Sequence, residues 1–364
     1  MNLLKRNWVR PLIERLEDRT VPTFSATSIV ADASGNFTAS IVTNQAQLDI
    51  DYDGATATLT IDDATSTPLI VSGVTGNVNI TLGTTVAAAS AFEAEVGLDG
   101  VLAGNFSLTV NRASAVATAT ANIDIVNAAA SSVLGNLNLT TNSASGSTID
   151  ISPGGGLLTV VGSVSVTTLG GGAAAPKAVT VPASNLSVGG NLTVRQVNDL
   201  DIGGGNTVTG TLNLTTRASS LVANANTIGI SGGTVIGNLS ITLGNVSGTG
   251  DSDVTLANQV NGFTSIAMGS NTGAQTTNTL TLNGFISVGS IVSITGKNGS
   301  KLITFNNVDA GLARLTVSLG NATDNDVVFT GTNTFAYTTL VGGTGTNTVT
   351  GTIPSPFRLI RFSF

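Results

Sequence analysis

Gly135-Asn136-Leu137-Asn138-Leu139-Thr140 is a glycine, an asparagine and then a strict alternation of apolar and polar side chains. A period of two puts Leu137 and Leu139 on one side of a strand and Asn138 and Thr140 on the other. The phrase returns as Gly76-Asn77-Val78-Asn79-Ile80-Thr81, Gly104-Asn105-Phe106-Ser107-Leu108-Thr109, Gly190-Asn191-Leu192-Thr193, Gly210-Thr211-Leu212-Asn213-Leu214-Thr215 and Gly237-Asn238-Leu239-Ser240-Ile241-Thr242. Looser copies begin at Gly162, Gly262, Gly289 and Gly311, so nine intervals from Gly76 to Gly311 average about 26 residues. A fixed period of this length marks stacked supersecondary units.

A second phrase lies between the glycine phrases. Ile123-Asp124-Ile125, Ile149-Asp150-Ile151, Leu200-Asp201-Ile202, Ile228-Gly229-Ile230 and Leu280-Thr281-Leu282 each place two apolar side chains on one side of a strand. A coil of about 26 residues has room for three short strands and three turns, and its inward aliphatics find apolar partners only in the coils above and below. The chain therefore reads as all-β: a right-handed parallel β-helix of about 11 coils, with Ile123, Ile125, Ile149, Ile151, Ile228 and Ile230 inward. At about 4.8 Å per coil the rod is roughly 50 Å long. Asn77, Asn105, Asn136, Asn191 and Asn238 recur at one turn, where asparagine tolerates a left-handed backbone and stacks into amide ladders. Leucine-rich repeats share the period but need a helical segment in each unit.

Composition agrees with this reading. Charged residues are 10% of the chain, against roughly 25% in ordinary globular domains. No stretch reaches the roughly 18 apolar residues of a spanning helix, and two Tyr, one Trp and twelve Phe are too few for the aromatic girdles of a membrane barrel. With no Cys and no His, thiol chemistry, disulfides and imidazole acid–base catalysis are excluded. Residues 20–350 carry eighteen acidic and seven basic side chains, a net charge of −11 that repels nucleic acid and anionic lipid.

Four segments follow from these patterns. Residues 1–22 carry Lys5, Arg6, Arg10, Arg15 and Arg19 beside Leu4, Trp8, Leu12 and Leu16, the pattern of a basic amphipathic helix. Residues 23–72 hold a hairpin signal, Leu48-Asp49-Ile50-Asp51-Tyr52 and Thr58-Leu59-Thr60-Ile61 on either side of Asp53-Gly54, and read as a strand-rich N-terminal cap. Residues 73–353 are the repeat body, and 354–364, opened by Pro354 and Pro356, are a short basic, aromatic tail.

Leu16-Glu17-Asp18-Arg19-Thr20-Val21-Pro22 resembles the N-terminal LEDRTVP motif that opens many predicted exported or surface proteins of planctomycete bacteria. In those proteins a basic leader precedes a large β-rich repeat body. The resemblance implies secretion or display at the cell surface, and it implies no catalytic residue.

Two candidate sites stand out. Aligning Leu192-Thr193-Val194 with Leu214-Thr215-Thr216 puts Arg195 and Arg217 at the same step of neighbouring coils, with Asp199 and Asp201 close behind. Arg with clustered Asp is the equipment with which β-helix polysaccharide lyases and glycoside hydrolases bind uronate and move protons. Asp49, Asp51 and Asp53 with Gly54 match the first half of a calcium loop, although the twelfth position is Thr60 rather than Glu. Gly342-Gly343-Thr344-Gly345-Thr346-Asn347 resembles a single calcium nonapeptide with Asn in place of the charged Asp. Calcium is thus the one cofactor candidate. The other acidic residues read as scattered, one or two per coil. Two function classes follow: a noncatalytic, adhesin-like or structural surface β-helix with a polysaccharide or extracellular matrix as partner, and a carbohydrate-active β-helix enzyme. The lack of a convergent polar cluster in the sequence favours the first.

Overall fold

The computed structural model describes residues 24–26, 30–84, 91–112, 120–127, 129–151, 156–171, 175–219, 226–247, 250–272, 277–322 and 324–363. The expected helical leader lies outside them. Every regular element among the described residues is a strand, and each coil of the β-helix has three sides.

The first, long side carries the Gly-Asn phrases. Phe37–Thr43, Val78–Thr84, Phe106–Arg112, Leu137–Ser143 and Val164–Leu169 stack parallel and in register. The ladder continues through Leu192–Val197, Thr207–Thr216, Val235–Thr242, Thr264–Met268, Ile291–Gly296, Asp309–Leu319 and Thr334–Val341 to Phe357–Ile360. The second side carries the Ile-x-Ile phrases, from Gln47–Asp53 and Phe92–Asp99 through Ala121–Ile125 and Ser147–Ile151 to Thr346–Gly351. The short side is two or three residues wide, from Val101–Leu102 and Ser131–Val133 upward.

Alternation decides the core. Leu137, Leu139, Ile123 and Ile125 point inward and are buried, while the residues between them face out. On the second side Ile123, Ile149, Val179, Leu200 and Ile228 form one inward column. Val254, Leu280, Ile303, Val327 and Val349 continue it, and every member is at most 2% exposed. Near the C-terminal end aromatics fill the same interior, with Phe305 stacked on Phe329 at 4.9 Å and Phe335 edge-on at 5.8 Å.

The Gly-Asn corner carries the expected side-chain ladder but not the left-handed backbone. None of Asn77, Asn105, Asn136, Asn191 and Asn238 adopts positive φ. Instead the corners lie directly over one another. The Asn36 Oδ1 accepts hydrogen bonds from the Asn77 backbone N–H (2.8 Å) and side-chain amide (2.9 Å), and Asn77 serves Asn105 in the same way. Asn105 then accepts from Asn136 N, Asn136 from Ser163 N, the Ser163 hydroxyl from Asn191 N and Asn191 from Thr211 N. The glycines stack beside this ladder, and a Cβ on Gly104 would lie 2.3 Å from the Gly76 carbonyl oxygen. Close approach of backbones, not a special dihedral, requires glycine here.

About nine complete turns are formed, rather than the expected 11. The short side runs only from Val101 to Phe335, whereas the other two sides extend past it at both ends. At the N-terminal end antiparallel strands extend the edges of the other two sides. Asp49–Asp53 pair with Thr58–Asp62, Leu69–Ser72 pair with that strand in turn, and Phe24–Ala26 cover Ile41–Thr43. Such strands close an edge that would otherwise be open to pairing. At the other end Phe357–Ile360 add a last rung and Leu359 and Phe362 pack against the core.

Candidate functional site

The outward residues of the long side form two straight files. One runs Asn79, Ser107, Asn138, Ser165, Thr193, Asn213, Ser240, Ser265, Ser293, Thr316, Thr339. The other runs Thr81, Thr109, Thr140, Thr167, Arg195, Thr215, Thr242, Ala267, Thr295, Ser318. In-register parallel pairing spaces neighbours in a file by about 4.8 Å. Arg195 is the single charge in the two files. The outcome is a narrow, regular strip of hydroxyl and amide groups along the rod.

The second side has a different chemistry at its N-terminal end. Asp49, Glu95, Asp124 and Asp150 stand in register on four successive rungs. Asp62 is opposite Asp49, and the Gln47 amide donates to Asp49 (2.8 Å) and Glu95 (3.2 Å). Burial, then repulsion from Asp49, Glu93, Asp124 and Asp51, raises the Glu95 carboxyl above the usual range. Burial also raises Asp124, and burial followed by Asp124 raises Asp150. These four are therefore stacked rather than scattered. They occupy the middle position of Leu48-Asp49-Ile50, Ala94-Glu95-Val96, Ile123-Asp124-Ile125 and Ile149-Asp150-Ile151, which was the sequence signal for their stacking. Further along, the file turns neutral, with Thr180 before Asp201 and Gly229, Thr255 and Thr281 after it.

Asp49, Asp51 and Asp53 lie along one extended strand, not in a loop that wraps an ion. Asp53 instead closes a turn, accepting from Ala55 N (2.8 Å) and the Thr56 hydroxyl (2.7 Å). Asn347 is buried and holds its own loop, donating to the carbonyls of Gly343 (3.1 Å) and Gly345 (3.2 Å). Among the described residues no group of three or more acidic side chains is placed to hold a metal ion.

The expected alignment of Arg195 with Arg217 is corrected by the register. Leu192 pairs with Leu212, so Arg195 stands beside Thr215. Gln196 then adopts a left-handed conformation (φ 64°) and adds one residue to its strand as a bulge. Arg217 consequently follows the step of Val197, to whose carbonyl its N–H donates at 3.0 Å. Its guanidinium donates to the Gly171 carbonyl (3.0 Å), two coils away. Beside it Lys177 is buried and donates to the carbonyls of Ser143 (2.9 Å) and Leu169 (3.2 Å); burial and then Arg217 depress its pKa to about 8. Asp199 and Asp201 face outward from the second side, around a shallow hollow of about 250 Å³ with Thr180 and Thr227. Arg195 sits on the long side, on a different face of the coil from Asp199 and Asp201.

Searches of protein-family models, curated proteins and solved structures returned no match. Among the described residues no helix is long and apolar enough to cross a membrane.

Proposed function

We propose that the protein is a noncatalytic β-helix, exported or displayed at the cell surface, that holds a polysaccharide along its long side. The observation that carries this reading is the pair of Ser, Thr and Asn files with one charge between them. A single exposed hydroxyl gains little by exchanging water for a sugar hydroxyl. Identical contacts repeated on successive rungs act on one polymer, and their effective concentration turns weak contacts into avidity. Export is supported by the resemblance at Leu16 to Pro22 and by the basic amphipathic pattern before it.

The test is retention of the full chain on a neutral insoluble glucan and on a soluble polyuronate, compared with the double variant Thr140→Glu/Thr215→Glu. Two carboxylates in the strip should weaken polymer binding at least about tenfold, because a neutral polymer lying over them strips their hydration without supplying a counter-charge. Binding of the unchanged chain to the neutral glucan should vary little between 50 mM and 500 mM salt, since neutral contacts are barely screened. Equal retention of both proteins would sink the reading. Depolymerisation of a polyuronate, lost in Arg195→Ala or Arg217→Ala, would replace it with the enzyme reading.

A further inference from the structure

The corner ladder changes character along the rod. From Asn36 to Asn238 its members are Asn, Ser and Thr, each accepting from the next corner. Asn238 accepts from the N–H of Phe263, and there the polar ladder stops. Phe263 and Ile291 are 45% and 47% exposed. Above Ile291 stand Arg314 and then Tyr337, in register on successive rungs.

These residues border the hydroxyl strip. Ile291, Arg314 and Tyr337 together with Thr316 and Thr339 line a hollow of about 320 Å³. The Arg314 guanidinium lies 5.8 Å from the centre of the Tyr337 ring, which restricts its position by a cation–π contact. Among the described residues no carboxylate forms an ion pair with Arg314. Asp309, on the same strand, is engaged by the Thr334 hydroxyl at 2.9 Å. In a body with net charge −11 over residues 20–350, this is a cation left to the solvent beside an aromatic plate and two hydroxyls.

We infer that this hollow is a subsite for one acidic sugar, a uronate unit of a glycan chain. The carboxylate takes the Arg314 fork, the C–H face of the pyranose packs on Tyr337 and Ile291, and ring hydroxyls meet Thr316 and Thr339. The inference rests on the polysaccharide reading and adds to the neutral strip one place that prefers a carboxylate-bearing unit.

The test is calorimetric titration of the full chain with trigalacturonate and, separately, with cellotriose. Trigalacturonate should bind more tightly than cellotriose. Arg314→Gln and Tyr337→Ala should each weaken it about tenfold, the loss expected for a charge-assisted contact or a stacked ring. Thr255→Ala, on the second side, should leave the titration unchanged. Both test side chains are partly exposed, so circular dichroism and thermal melting should match the unchanged chain. Failure of trigalacturonate to bind, equal affinity for cellotriose, or equal binding by Arg314→Gln each overturns the subsite. If Arg314→Gln weakens neither ligand while the Thr140→Glu/Thr215→Glu variant loses polymer, the subsite falls and the strip stands. If the trisaccharide binds and no polymer does, the strip falls and the subsite stands.

Discussion

A methyl group on Gly135 would lie 2.5 Å from the Asn105 Oδ1 and 2.7 Å from the Gly104 carbonyl oxygen. Neither neighbour is free to move. The Asn105 side chain accepts from the Asn136 backbone N–H at 2.7 Å, and the Gly104 carbonyl accepts from Gly135 N at 3.1 Å. Gly135→Ala should therefore destabilise the protein by about 1–3 kcal/mol, the usual penalty of overpacking, read as a lower urea midpoint with an unchanged slope. The same substitution at Gly311 meets nothing closer than the Thr334 hydroxyl at 3.8 Å and should leave the midpoint nearly unmoved. Both glycines open copies of the same phrase. Only the geometry between coils separates them.

At the scale of a strand, the register that stacks Ile123 on Ile149 inside also stacks Asp124 on Asp150 outside. The two faces of the rung act in opposite directions, burial stabilising it and like charges at one step opposing it by about 0.2–1 kcal/mol per pair. Because Glu95, Asp124 and Asp150 have folded pKa values raised above the unfolded carboxylate, the folded state binds more protons in that window. Stability from these groups is full below about pH 4 and is lost as pH rises through their folded values. Asp124→Asn should thus raise the melting temperature at pH 7 and flatten the decline that sets in as pH rises above the unfolded carboxylate value of about 4. A fall in melting temperature at pH 7 would show that Asp124 is stabilised by a partner instead. Asp32 and Asp53, lowered chiefly by hydrogen bonds from Asn36 and from Thr56 respectively, act in the opposite sense, so the difference between variant and unchanged chain is the quantity to read.

For the whole molecule, each coil contacts mainly the coils beside it, so stability grows by neighbouring interfaces and an end segment is separable from the body. The first described strand begins at Phe24, and the parallel ladders begin at Phe37 on the long side and Gln47 on the second side. Removal of residues 1–22 should therefore leave the β-rich circular-dichroism spectrum and melting temperature unchanged. On the export reading, the shortened chain should accumulate inside cells while the full chain reaches the surface or medium. Equal amounts outside the cell with and without residues 1–22 would count against a role for this segment in export.

What the amino-acid order determined by itself is everything that repeats within one strand: which side chains face in, where the corners fall and that the coils stack. Ile123, Ile149 and Ile228 were readable as core because a period of two is set by the local backbone. Neighbours across coils are another matter. They depend on hydrogen-bond register, and each turn of different length or each bulge resets it. The interval from Gly190 to Gly210 is 20 residues, well short of the mean, and Gln196 adds a bulge within it. Arg195 and Arg217, adjacent by alignment, were separated by that reset. In the Asp49, Glu95, Asp124 and Asp150 file, and in the Ile291, Arg314 and Tyr337 corner, successive residues are 23 to 46 positions apart in the chain. Only tertiary structure could place each about 5 Å from the next, because the distance between coils is set by backbone pairing that no single strand encodes.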